Sequence, residues 1–487
     1  MKGLIRATKI VATLGPATNS PQTIEQVLAA GVDIVRMNFS HGSADEHVRR
    51  ASWVHEAAHR LGRDVGILVD LQGPKIRVGI FENGEVELKI GQKFVLDINC
   101  KMGDRSRVGL DYRELVNDVQ ADDILLLNDG HISLKVTSVN NTEVSCIVLH
   151  GGVLSDKKGI NRQGGGLSAP ALTNKDIGDI KVAASMEADY VAVSFPKSAE
   201  DINYAKELLK KAGSRAWVIA KIERVEAIRN LQEILEASNG LMVARGDLAT
   251  EVGEAAVPAL QKKMIRMSRD KNRLAITATQ MMESMIKSPV PTRAEVSDVA
   301  NAVLDGTDAV MLSAETATGK YPNRTVEKMS GICLEAEKFV EGTLDSHFLD
   351  RTFERVDQSI AMASLFVALH LKIKAIASFT QSGSTALWIS RLNSGVPIYA
   401  LTPEESSRRR MALYRDVQPI FFQYDLKDRE ALIKIAEQKL VDANVVSAGD
   451  LIVITIGEPI GQSGGTNTMK IVKVSALPAD KSKQLSL

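Results

Sequence analysis

Eight short apolar runs, each followed directly by polar or charged residues, constrain the fold of this chain more than any other feature. The runs span residues 9–13, 33–37, 65–69, 188–193, 216–220, 240–244, 273–277 and 308–312. Helical patterns separate most of them, beginning with 21–30, where Ser20 precedes Pro21 at a helix start. Apolar strands that alternate with helices indicate parallel βα units. Eight such units predict a closed (β/α)8 barrel, in which active sites lie at the carboxyl ends of the strands.

A different pattern interrupts the barrel between its third and fourth strands. Residues 74–166 hold many short β-type runs, separated by turn signals such as those at 82–84 and 128–130. This pattern predicts a small all-β domain inserted in a barrel loop, with the glycines at 164–166 as its hinge. A domain hinged over the catalytic face is a natural lid. We therefore assign residues 1–73 and 167–349 to the barrel and residues 74–166 to the lid.

The last part of the chain, residues 350–487, forms a third unit. Five strand candidates alternate there with four helical patterns, which predicts an open α/β sheet. The expected fold class is therefore α/β, with a TIM barrel, an inserted all-β lid and a C-terminal open α/β domain.

Composition excludes several classes of partner. The 60 basic and 60 acidic residues cancel, and only 4% of residues are aromatic, so the chain lacks both the charge footprint for duplex nucleic acid and a stacking platform for single strands. The three cysteines are far apart, which indicates neither a disulfide framework nor a zinc site. The N-terminus is interpreted as a strand rather than a signal peptide, and the apolar segment 360–371 is too short to span a bilayer. We expect a cytoplasmic protein with no nucleic-acid or membrane partner.

Charged residues at the ends of the fifth and sixth strands indicate a metal-dependent reaction. Lys221 and Glu223 lie two positions apart in an extended segment, so their side chains share a face. Asp247 follows the neighbouring sixth strand. Two carboxylates with room for water and substrate oxygens are typical of a Mg²⁺ or Mn²⁺ site, and an adjacent ammonium suits charge on phosphoryl or enolate oxygens. A buried ion pair without any ligand is the alternative interpretation.

Polar residues at other strand ends fit anion recognition. Arg36 ends the second strand, where a planar, permanently charged guanidinium suits phosphate, although an ordinary surface arginine is the alternative. Arg77 lies where the lid joins the barrel. Thr279 ends the seventh strand, where its hydroxyl can donate to a carboxylate and pass a proton through water.

A loop in the C-terminal domain has the composition of a second anion site. It connects a strand to a helix, where hydroxyls and backbone N–H groups can bind an anion without a lysine. Its residues are Thr380, Gln381, Ser382, Gly383, Ser384 and Thr385. A second glycine-rich loop, residues 457–468, could close over it. A plain polar connection is the alternative interpretation.

Taken together, these segments resemble the pyruvate kinase family. The residues that carry the resemblance are 36–42, 70–77, 157–159, 221–223, 242–248, 276–285, 291–295 and 304–316, in the same order along nearly the whole chain. The resemblance implies the three-domain architecture and the last step of glycolysis, in which phosphoenolpyruvate and ADP give pyruvate and ATP. It also implies a homotetramer, and a phosphorylated small-molecule effector that binds at residues 380–385.

The resemblance further implies roles for individual residues. Arg36 would bind the phosphate of phosphoenolpyruvate, Lys221 would stabilise the transferring phosphoryl group, and Thr279 would deliver a proton to the enolate. The substrate carboxylate would meet Thr279 and the backbone N–H groups of Gly246 and Asp247. Three further sets are implied: Glu223 and Asp247 for Mg²⁺, which Mn²⁺ can replace; Asn38, His41, Arg77 and Lys158 for the nucleotide; and Asn38, Ser40, Asp70 and the carbonyl of Leu71 for a monovalent cation.

One position departs from the family pattern in a way that changes an expected cofactor. Many members that require K⁺ carry Glu where this chain has Lys75. An ammonium group there would supply the positive charge itself, so we expect no strict K⁺ requirement. Leu71 stands where Thr is frequent in the family, but only its carbonyl is needed.

Two functions from other classes are alternatives. The first is a different Mg²⁺-enolate barrel, an aldolase or lyase acting on pyruvate, which would need no nucleotide lid and therefore neither Arg77 nor Lys158. The second is a metabolite sensor on an inactive kinase scaffold, against which the presence of Lys221, Glu223 and Thr279 argues. An ADP-dependence assay separates the first alternative from the kinase, and a turnover assay separates the second.

Overall fold

The computed structural model describes residues 6–339, 352–391, 394–423, 429–458 and 465–475. Within them, eight parallel strands close into a barrel, as the alternating pattern predicts. Numbered along the chain, with β4–β11 reserved for the inserted domain, they are β1 (Lys9–Leu14), β2 (Ile34–Asn38), β3 (Gly66–Asp70), β12 (Tyr190–Val193), β13 (Trp217–Ile222), β14 (Gly240–Ala244), β15 (Leu274–Ala278) and β16 (Ala309–Leu312). They follow one another around the barrel in this order, and β16 pairs with β1.

Helices cover the outside of the barrel, and several begin at residues that cap them. The hydroxyl of Ser43 accepts a hydrogen bond from the N–H of Glu46 at the start of the second helix, and Gly62 closes that helix with a φ of 62°. The segment 224–236 forms two helices rather than one, because Asn230 leaves helical geometry at the junction. The helices of this layer are α1 (Pro21–Ala29), α2 (Ala44–Leu61), α4 (Asn174–Ser185), α5 (Ala199–Lys211), α6 (Val225–Arg229), α7 (Leu231–Ala237), α8 (Arg245–Val252), α9 (Val257–Asp270), α10 (Arg293–Leu304), α11 (Ala314–Ala317) and α12 (Pro322–Glu337).

The inserted domain is built almost entirely of strands. They are β4 (Glu85–Leu88), β5 (Lys93–Asp97), β6 (Arg107–Val108), β7 (Ile124–Leu127), β8 (Ile132–Val139), β9 (Glu143–His150), β10 (Gly152–Ser155) and β11 (Ile160–Arg162), with one short helix, α3 (Leu115–Asp118). Residues 76–81, the first of the β-type runs in this segment and expected as a strand, do not form one, because Arg77, Val78 and Phe81 each form only an isolated bridge to a different loop residue. A buried apolar cluster holds its strands together, and Leu167 and Ala169, just after the domain, join that cluster.

The C-terminal domain is an open α/β sheet, as predicted. Its strands are β17 (Ala375–Phe379), β18 (Ile398–Thr402), β19 (Val417–Phe421), β20 (Leu451–Gly457) and β21 (Thr466–Lys473), in the spatial order β19, β18, β17, β20, β21. The first four are parallel and β21 is antiparallel. Its helices are α13 (Val356–His370), α14 (Ser384–Ser390), α15 (Glu405–Met411) and α16 (Arg429–Asp442). Residues 459–464 of the glycine-rich loop expected to close over the anion loop lie outside the described residues.

Two buried ion pairs dock the C-terminal domain against the amino ends of the barrel strands. Asp308, directly before β16, pairs with the guanidinium of Arg391. Asp189, directly before β12, accepts a hydrogen bond from Nε of Arg409 at 3.1 Å. Because this domain occupies the amino ends, the carboxyl ends of the strands stay open toward the lid.

The cysteines form no disulfide within the described residues, and the apolar helices there are not membrane spans. Cys100, Cys146 and Cys333 are free thiols. Burial raises the pKa of Cys146 and of Cys333 to about 12, which makes both thiols poor nucleophiles. Among the helices in the described ranges, none combines the length and the apolar character that a membrane crossing needs.

Candidate active site

The ammonium group of Lys221 lies at the mouth of the barrel between two carboxylates. Its Nζ is 2.8 Å from Oε1 of Glu223 and 3.2 Å from Oδ1 of Asp70. It also donates a hydrogen bond to the hydroxyl of Ser194 at 2.8 Å. Burial alone would lower the pKa of Lys221, but the two carboxylates outweigh burial and raise it. Lys221 is therefore a fixed cation, and it shares a face with Glu223 as their spacing predicts.

Glu223 is buried directly after β13, with a different partner for each oxygen. Oε2 accepts a hydrogen bond from the N–H of Phe195 at 2.8 Å, while Oε1 faces the ammonium of Lys221. Burial raises the pKa of Glu223, and the nearby charge of Asp247 adds to the shift, although Lys221 opposes it. A cation held between Glu223 and Asp247 would offset both the cost of burying the Glu223 charge and its repulsion by Asp247. The electrostatics of the pair therefore favour a cation site.

Arg36 reaches the same centre from β2. Its Nε and Nη2 lie 2.7 Å and 2.6 Å from Oδ2 of Asp70, and its Nη1 donates to the hydroxyl of Thr13 at 3.0 Å. Asp70 therefore balances two cations, Arg36 and Lys221, which are the two side chains expected to meet phosphate. Asp70 thus holds Arg36 and Lys221 side by side, with Glu223 as a second partner of Lys221, and two adjacent fixed cations suit the oxygens of a phosphate.

The four residues expected to bind a monovalent cation lie together at the ends of β2 and β3. Asn38 is in register with Asp70 on the neighbouring strand, and its Oδ1 accepts a hydrogen bond from the N–H of Ser40 at 3.1 Å. The carbonyl of Leu71 accepts from the hydroxyl of Ser194 at 2.7 Å. Asp70, the charged member of this set, already pairs with Arg36 and Lys221.

The sixth and seventh strands contribute a backbone N–H and a hydroxyl. Helix α8 begins directly after β14, so the N–H of Gly246 belongs to the unpaired donors of a helix start. It donates to Oγ1 of Thr279 at 2.9 Å, and the Thr279 hydroxyl itself donates to the carbonyl of Ala278 at 2.6 Å. These two residues therefore form one hydrogen-bonded edge of the barrel mouth.

The carboxylates near this edge fit a divalent cation. Asp247 faces an open cleft of about 990 Å³ between barrel and lid, whose lid wall includes Asp129 and His131. Within the described ranges, no group of three or more His, Cys, Asp or Glu side chains could hold a metal. Glu223 and Asp247 instead offer an incomplete oxygen set. Such a set fits Mg²⁺ or Mn²⁺, because Mg²⁺ keeps several waters and binds one or two carboxylates together with substrate phosphates.

Positive charge accumulates around the loop that follows β2. Burial lowers the pKa of His41, and the charges of Lys75, Arg77 and Arg36 lower it further. An isolated bridge pairs Arg77 with Gly159, so the backbone of Lys158 lies next to that of Arg77 where the lid joins the barrel. A group of cations at the junction of barrel and lid suits the phosphates of a nucleotide.

The expected anion loop lies away from the barrel mouth, between β17 and α14 of the C-terminal domain. The N–H of Gly383 donates to the hydroxyl of Thr380 at 2.9 Å. The hydroxyl of Thr385 is hydrogen-bonded to that of Thr466 on β21 at 2.6 Å. Gly383 has a φ of 85°, and a Cβ at this position would lie 2.9 Å from Met411. The turn therefore requires glycine.

Sequence reasoning assigned no role to three side chains that support the site. Ser194 joins Lys221 to the carbonyl of Leu71, and its position directly after the fourth barrel strand is a signal that could have identified it. Thr13 lies within β1 and gave no signal. Lys175, on α4, donates to the carbonyl of Phe39 at 2.8 Å, a contact that depends on the packing of α4 and not on the local sequence.

Comparison with known proteins starts from family models. The model described as "Pyruvate kinase, barrel domain" matches residues 5–326, and the model described as "Pyruvate kinase, alpha/beta domain" matches residues 358–472. The matched ranges together include every candidate residue of the barrel mouth, the lid and the C-terminal loop.

Individual relatives agree with the family models. Pyruvate kinase II of Salmonella typhimurium is 51% identical to this chain over 480 residues, which cover 97% of this chain and 100% of that protein. Pyruvate kinase of Haemophilus influenzae is 49% identical, over 96% of this chain and 98% of the relative. The crystal structure of a pyruvate kinase from Cryptosporidium parvum matches with a TM-score of 0.91 at 32% identity, over 96% of both chains. The chain therefore belongs to the pyruvate kinase family and is a phosphotransferase.

Proposed function

We propose that this enzyme transfers the phosphoryl group of phosphoenolpyruvate to ADP, with Mg²⁺, and releases pyruvate and ATP. The observation that carries the proposal is the buried ammonium of Lys221, 2.8 Å from Glu223 and 3.2 Å from Asp70. Arg36 occupies the other oxygen of Asp70. Two fixed cations beside a two-carboxylate metal site suit a transition state that spreads negative charge over phosphoryl oxygens.

Transfer breaks the bond between phosphorus and the enol oxygen and forms a bond from phosphorus to a terminal oxygen of ADP. Arg36 binds the phosphoryl group of the substrate, and Lys221 stabilises the charge on its oxygens while the bonds exchange. Because Asp70 pairs with both cations, their positions are fixed by the protein itself and they need little reorganisation to meet the phosphoryl group.

The substrate carboxylate lies at the start of α8, against the N–H groups of Gly246 and Asp247 and the hydroxyl of Thr279. Glu223 and Asp247 would hold Mg²⁺, which when bound would supply positive charge to the phosphoryl and carboxylate oxygens. Loss of the phosphoryl group leaves an enolate, which takes a proton at its methylene carbon and becomes the methyl group of pyruvate. Thr279 delivers that proton, directly or through one water.

ADP occupies the junction between barrel and lid. Four residues bind it there: Asn38, His41, Arg77 and Lys158. The support for this placement is the group of positive charges that lowers the pKa of His41. Lid closure would bring Lys158 onto the phosphates and exclude water from the reacting oxygens.

Turnover measured with phosphoenolpyruvate, Mg²⁺ and ADP tests the proposed reaction. We expect pyruvate to form only when ADP is present, with one ATP for each pyruvate. Pyruvate release without ADP would support a lyase or aldolase, and a folded protein without turnover would support a metabolite sensor. The kinase is preferred because a lyase or aldolase gives Arg77 and Lys158 no purpose. A sensor, in turn, gives no purpose to Lys221, Glu223 and Thr279.

We also propose that the loop formed by residues 380–385 binds the phosphate of a small-molecule effector. The turn fixed by Gly383, and the bond from Thr385 to Thr466, give it a defined shape beside a helix start. The double variant Ser382→Asp/Ser384→Asp places negative charge against an incoming phosphate. Activation by a panel of sugar phosphates and nucleotides should then disappear, whereas the exposed control Ser447→Asp should retain it. Unchanged activation in the loop variant would move the effector site elsewhere.

The same proposal includes the enzyme's domain limits, its location in the cell, its assembly and its independence of K⁺. The domain limits are 73/74, 166/167 and 349/350, which limited proteolysis can test. The enzyme is a cytoplasmic homotetramer, and sedimentation would give a mass four times that of the chain. It does not require K⁺, because Lys75 adds a fixed charge near the phosphates. A monomer in sedimentation would contradict the assembly.

A further inference from the structure

The chain leaves the seventh barrel strand in a conformation that few residues adopt. Thr279 has a φ of 67° and Gln280 a φ of 54°, so two consecutive residues other than glycine occupy the left-handed region. A β-branched residue such as threonine is rarely found there. Such a backbone persists only where surrounding contacts hold it, and it is frequent at active sites.

The guanidinium group of Arg245 supplies the contacts that hold this backbone. Its Nε donates to the carbonyl of Ala278 at 3.2 Å, and its Nη2 donates to the carbonyl of Thr279 at 2.7 Å. These two carbonyls stand on either side of the Thr279 side chain. One planar group therefore fixes both peptide units that set the direction of the hydroxyl.

The remaining contacts keep the guanidinium and the hydroxyl in place. Nη1 of Arg245 lies 2.7 Å from Oδ1 of Asp298 on α10, and the arginine side chain is only 11% exposed. The residue after Arg245 is Gly246, whose N–H donates to Oγ1 of Thr279 at 2.9 Å. The hydroxyl and Arg245 both donate to the Ala278 carbonyl, which can accept two hydrogen bonds. Backbone and side chain of Thr279 are thus fixed by two consecutive residues.

We propose that Arg245 is a positioning residue that aims the Thr279 hydroxyl at the methylene carbon of the enolate, and that Asp298 holds Arg245 for this purpose. The inference rests on the proposed function, because it assumes that Thr279 delivers the proton. Arg245 contacts Ala278, Thr279 and Asp298, whereas Lys221 and Arg36 pair with Asp70. Loss of Arg245 therefore slows the delivery of the proton more than it slows phosphoryl transfer. It weakens substrate binding only through the bond from Thr279 to the substrate carboxylate, because the N–H groups of Gly246 and Asp247 remain.

The test compares Arg245→Lys with Arg273→Lys in the complete enzyme. Lysine keeps the charge but loses the fork that reaches two carbonyls. Arg273 is a matched control at the other end of β15, because its guanidinium also donates to two carbonyls, those of Leu235 at 2.8 Å and Glu236 at 3.0 Å. The two variants therefore lose similar bonds, but only Arg245→Lys loses them beside Thr279.

Three quantities are measured for each variant: kcat and KM for phosphoenolpyruvate, the solvent deuterium isotope effect on kcat, and the exchange of pyruvate methyl protons with D₂O. For Arg245→Lys we expect kcat and methyl exchange to fall at least tenfold and the isotope effect to increase, while KM, which Thr279 also affects through the substrate carboxylate, changes by a smaller factor. For Arg273→Lys all three should stay within twofold of wild type. An Arg245→Lys enzyme with unchanged methyl exchange and isotope effect would overturn the inference.

Two further variants keep the test decisive. Thr279→Val should abolish methyl exchange; if it does not, the assignment of Thr279 in the proposed function fails. If it does and Arg245→Lys exchanges protons at the wild-type rate, only the present inference fails. Where Arg245→Lys does not fold, Asp298→Asn should give a smaller change in the same direction, and an unaltered isotope effect in that variant would count against the inference.

Discussion

Replacing Lys221 with Met has consequences for both rate and stability that the structure allows us to separate. The substitution removes an ammonium that is 2.8 Å from Glu223, 3.2 Å from Asp70 and 2.8 Å from the Ser194 hydroxyl. Arg36 remains on Asp70 at 2.6 Å, so one of the two cations survives. Losing one preorganised charge typically costs about 10²–10³-fold in kcat, or roughly 2.7–4 kcal/mol of transition-state stabilisation.

The cost to stability falls on Glu223, because Asp70 keeps Arg36. Removing one partner of a buried ion pair costs about 3–5 kcal/mol, but a carboxyl group can limit the loss by binding a proton. Burial already raises the pKa of Glu223 above its unfolded value, and Lys221 opposes the shift, so the substitution raises the pKa further. A folded pKa above the unfolded one gives stability that is complete at low pH and is lost as pH rises through the folded pKa. The gap in melting temperature between wild type and variant should therefore widen from pH 6 to pH 8.5.

The assay measures pyruvate formation at saturating substrate, and melting temperature with and without Mg²⁺. We expect Mg²⁺ to recover part of the melting temperature of Lys221→Met, because a cation at Glu223 and Asp247 replaces the missing charge. Lys211→Met is the control, since its ammonium is exposed and pairs with Glu207 on the protein surface. A folded Lys221→Met enzyme with kcat within tenfold of wild type would refute the role of Lys221. A melting temperature that follows the control at every pH would refute the argument about Glu223.

Three other perturbations address the metal, the monovalent cation and a second buried carboxyl. Glu223→Gln and Asp247→Asn should each raise the Mg²⁺ concentration for half-maximal rate at least about tenfold, and an unchanged titration would make the pair structural. Wild-type turnover should be nearly equal in Na⁺ and K⁺ buffers of fixed ionic strength, whereas Lys75→Glu should need K⁺; a wild type inactive without K⁺ would contradict this. Burial raises the pKa of Glu251 to about 7 from 4.5, so wild-type stability falls as pH rises between these values. The metal-free melting temperature of Glu251→Gln, relative to wild type, should therefore increase from pH 5 to pH 8.

The parts of the site that local sequence specifies were predictable. Lys221 and Glu223 share a face because side chains in an extended segment alternate. The barrel follows from apolar runs that alternate with helices, and its polar strand ends follow from the runs' boundaries. Counting the apolar runs along the chain places Asp247 after the sixth strand and Thr279 after the seventh. The structure pairs these two strands, β14 and β15, as neighbours.

The contacts that depend on packing were not predictable. The bond from Arg36 to Asp70 needs the register of β2 against β3, and nothing in either segment specifies that register. The left-handed backbone at Thr279 depends on Arg245, which is 34 positions earlier. In the lid, residues 76–81 have the composition of a strand, but their partners are single residues of three different loops.

An Asp or Asn residue stands directly before every second barrel strand, and its side chain joins that strand to its neighbour. The residues are Asp33, Asp189, Asn239 and Asp308, which precede β2, β12, β14 and β16. In each case a side-chain oxygen accepts a hydrogen bond, of 2.8–3.0 Å, from the second N–H of the adjacent strand. Side-chain hydrogen bonds therefore join the amino ends of four strand pairs: β1 with β2, β3 with β12, β13 with β14, and β15 with β16.

The difference between aspartate and asparagine at these positions explains how the amino ends also hold the C-terminal domain. Either side chain can accept the strand N–H, but only aspartate adds a buried charge, which must be paired. Asp308 is paired with Arg391 and Asp189 with Arg409, both from the C-terminal domain, whereas Asp33 is paired with Arg6 and Arg63 of the barrel unit. At the carboxyl ends, Asp70 and Glu223 are paired within the barrel itself, by Lys221 and Arg36. The two ends of one barrel thus use the same chemistry differently: two of the three aspartates at the amino ends fix a neighbouring domain, and the carboxylates at the carboxyl ends hold cations ready for a substrate.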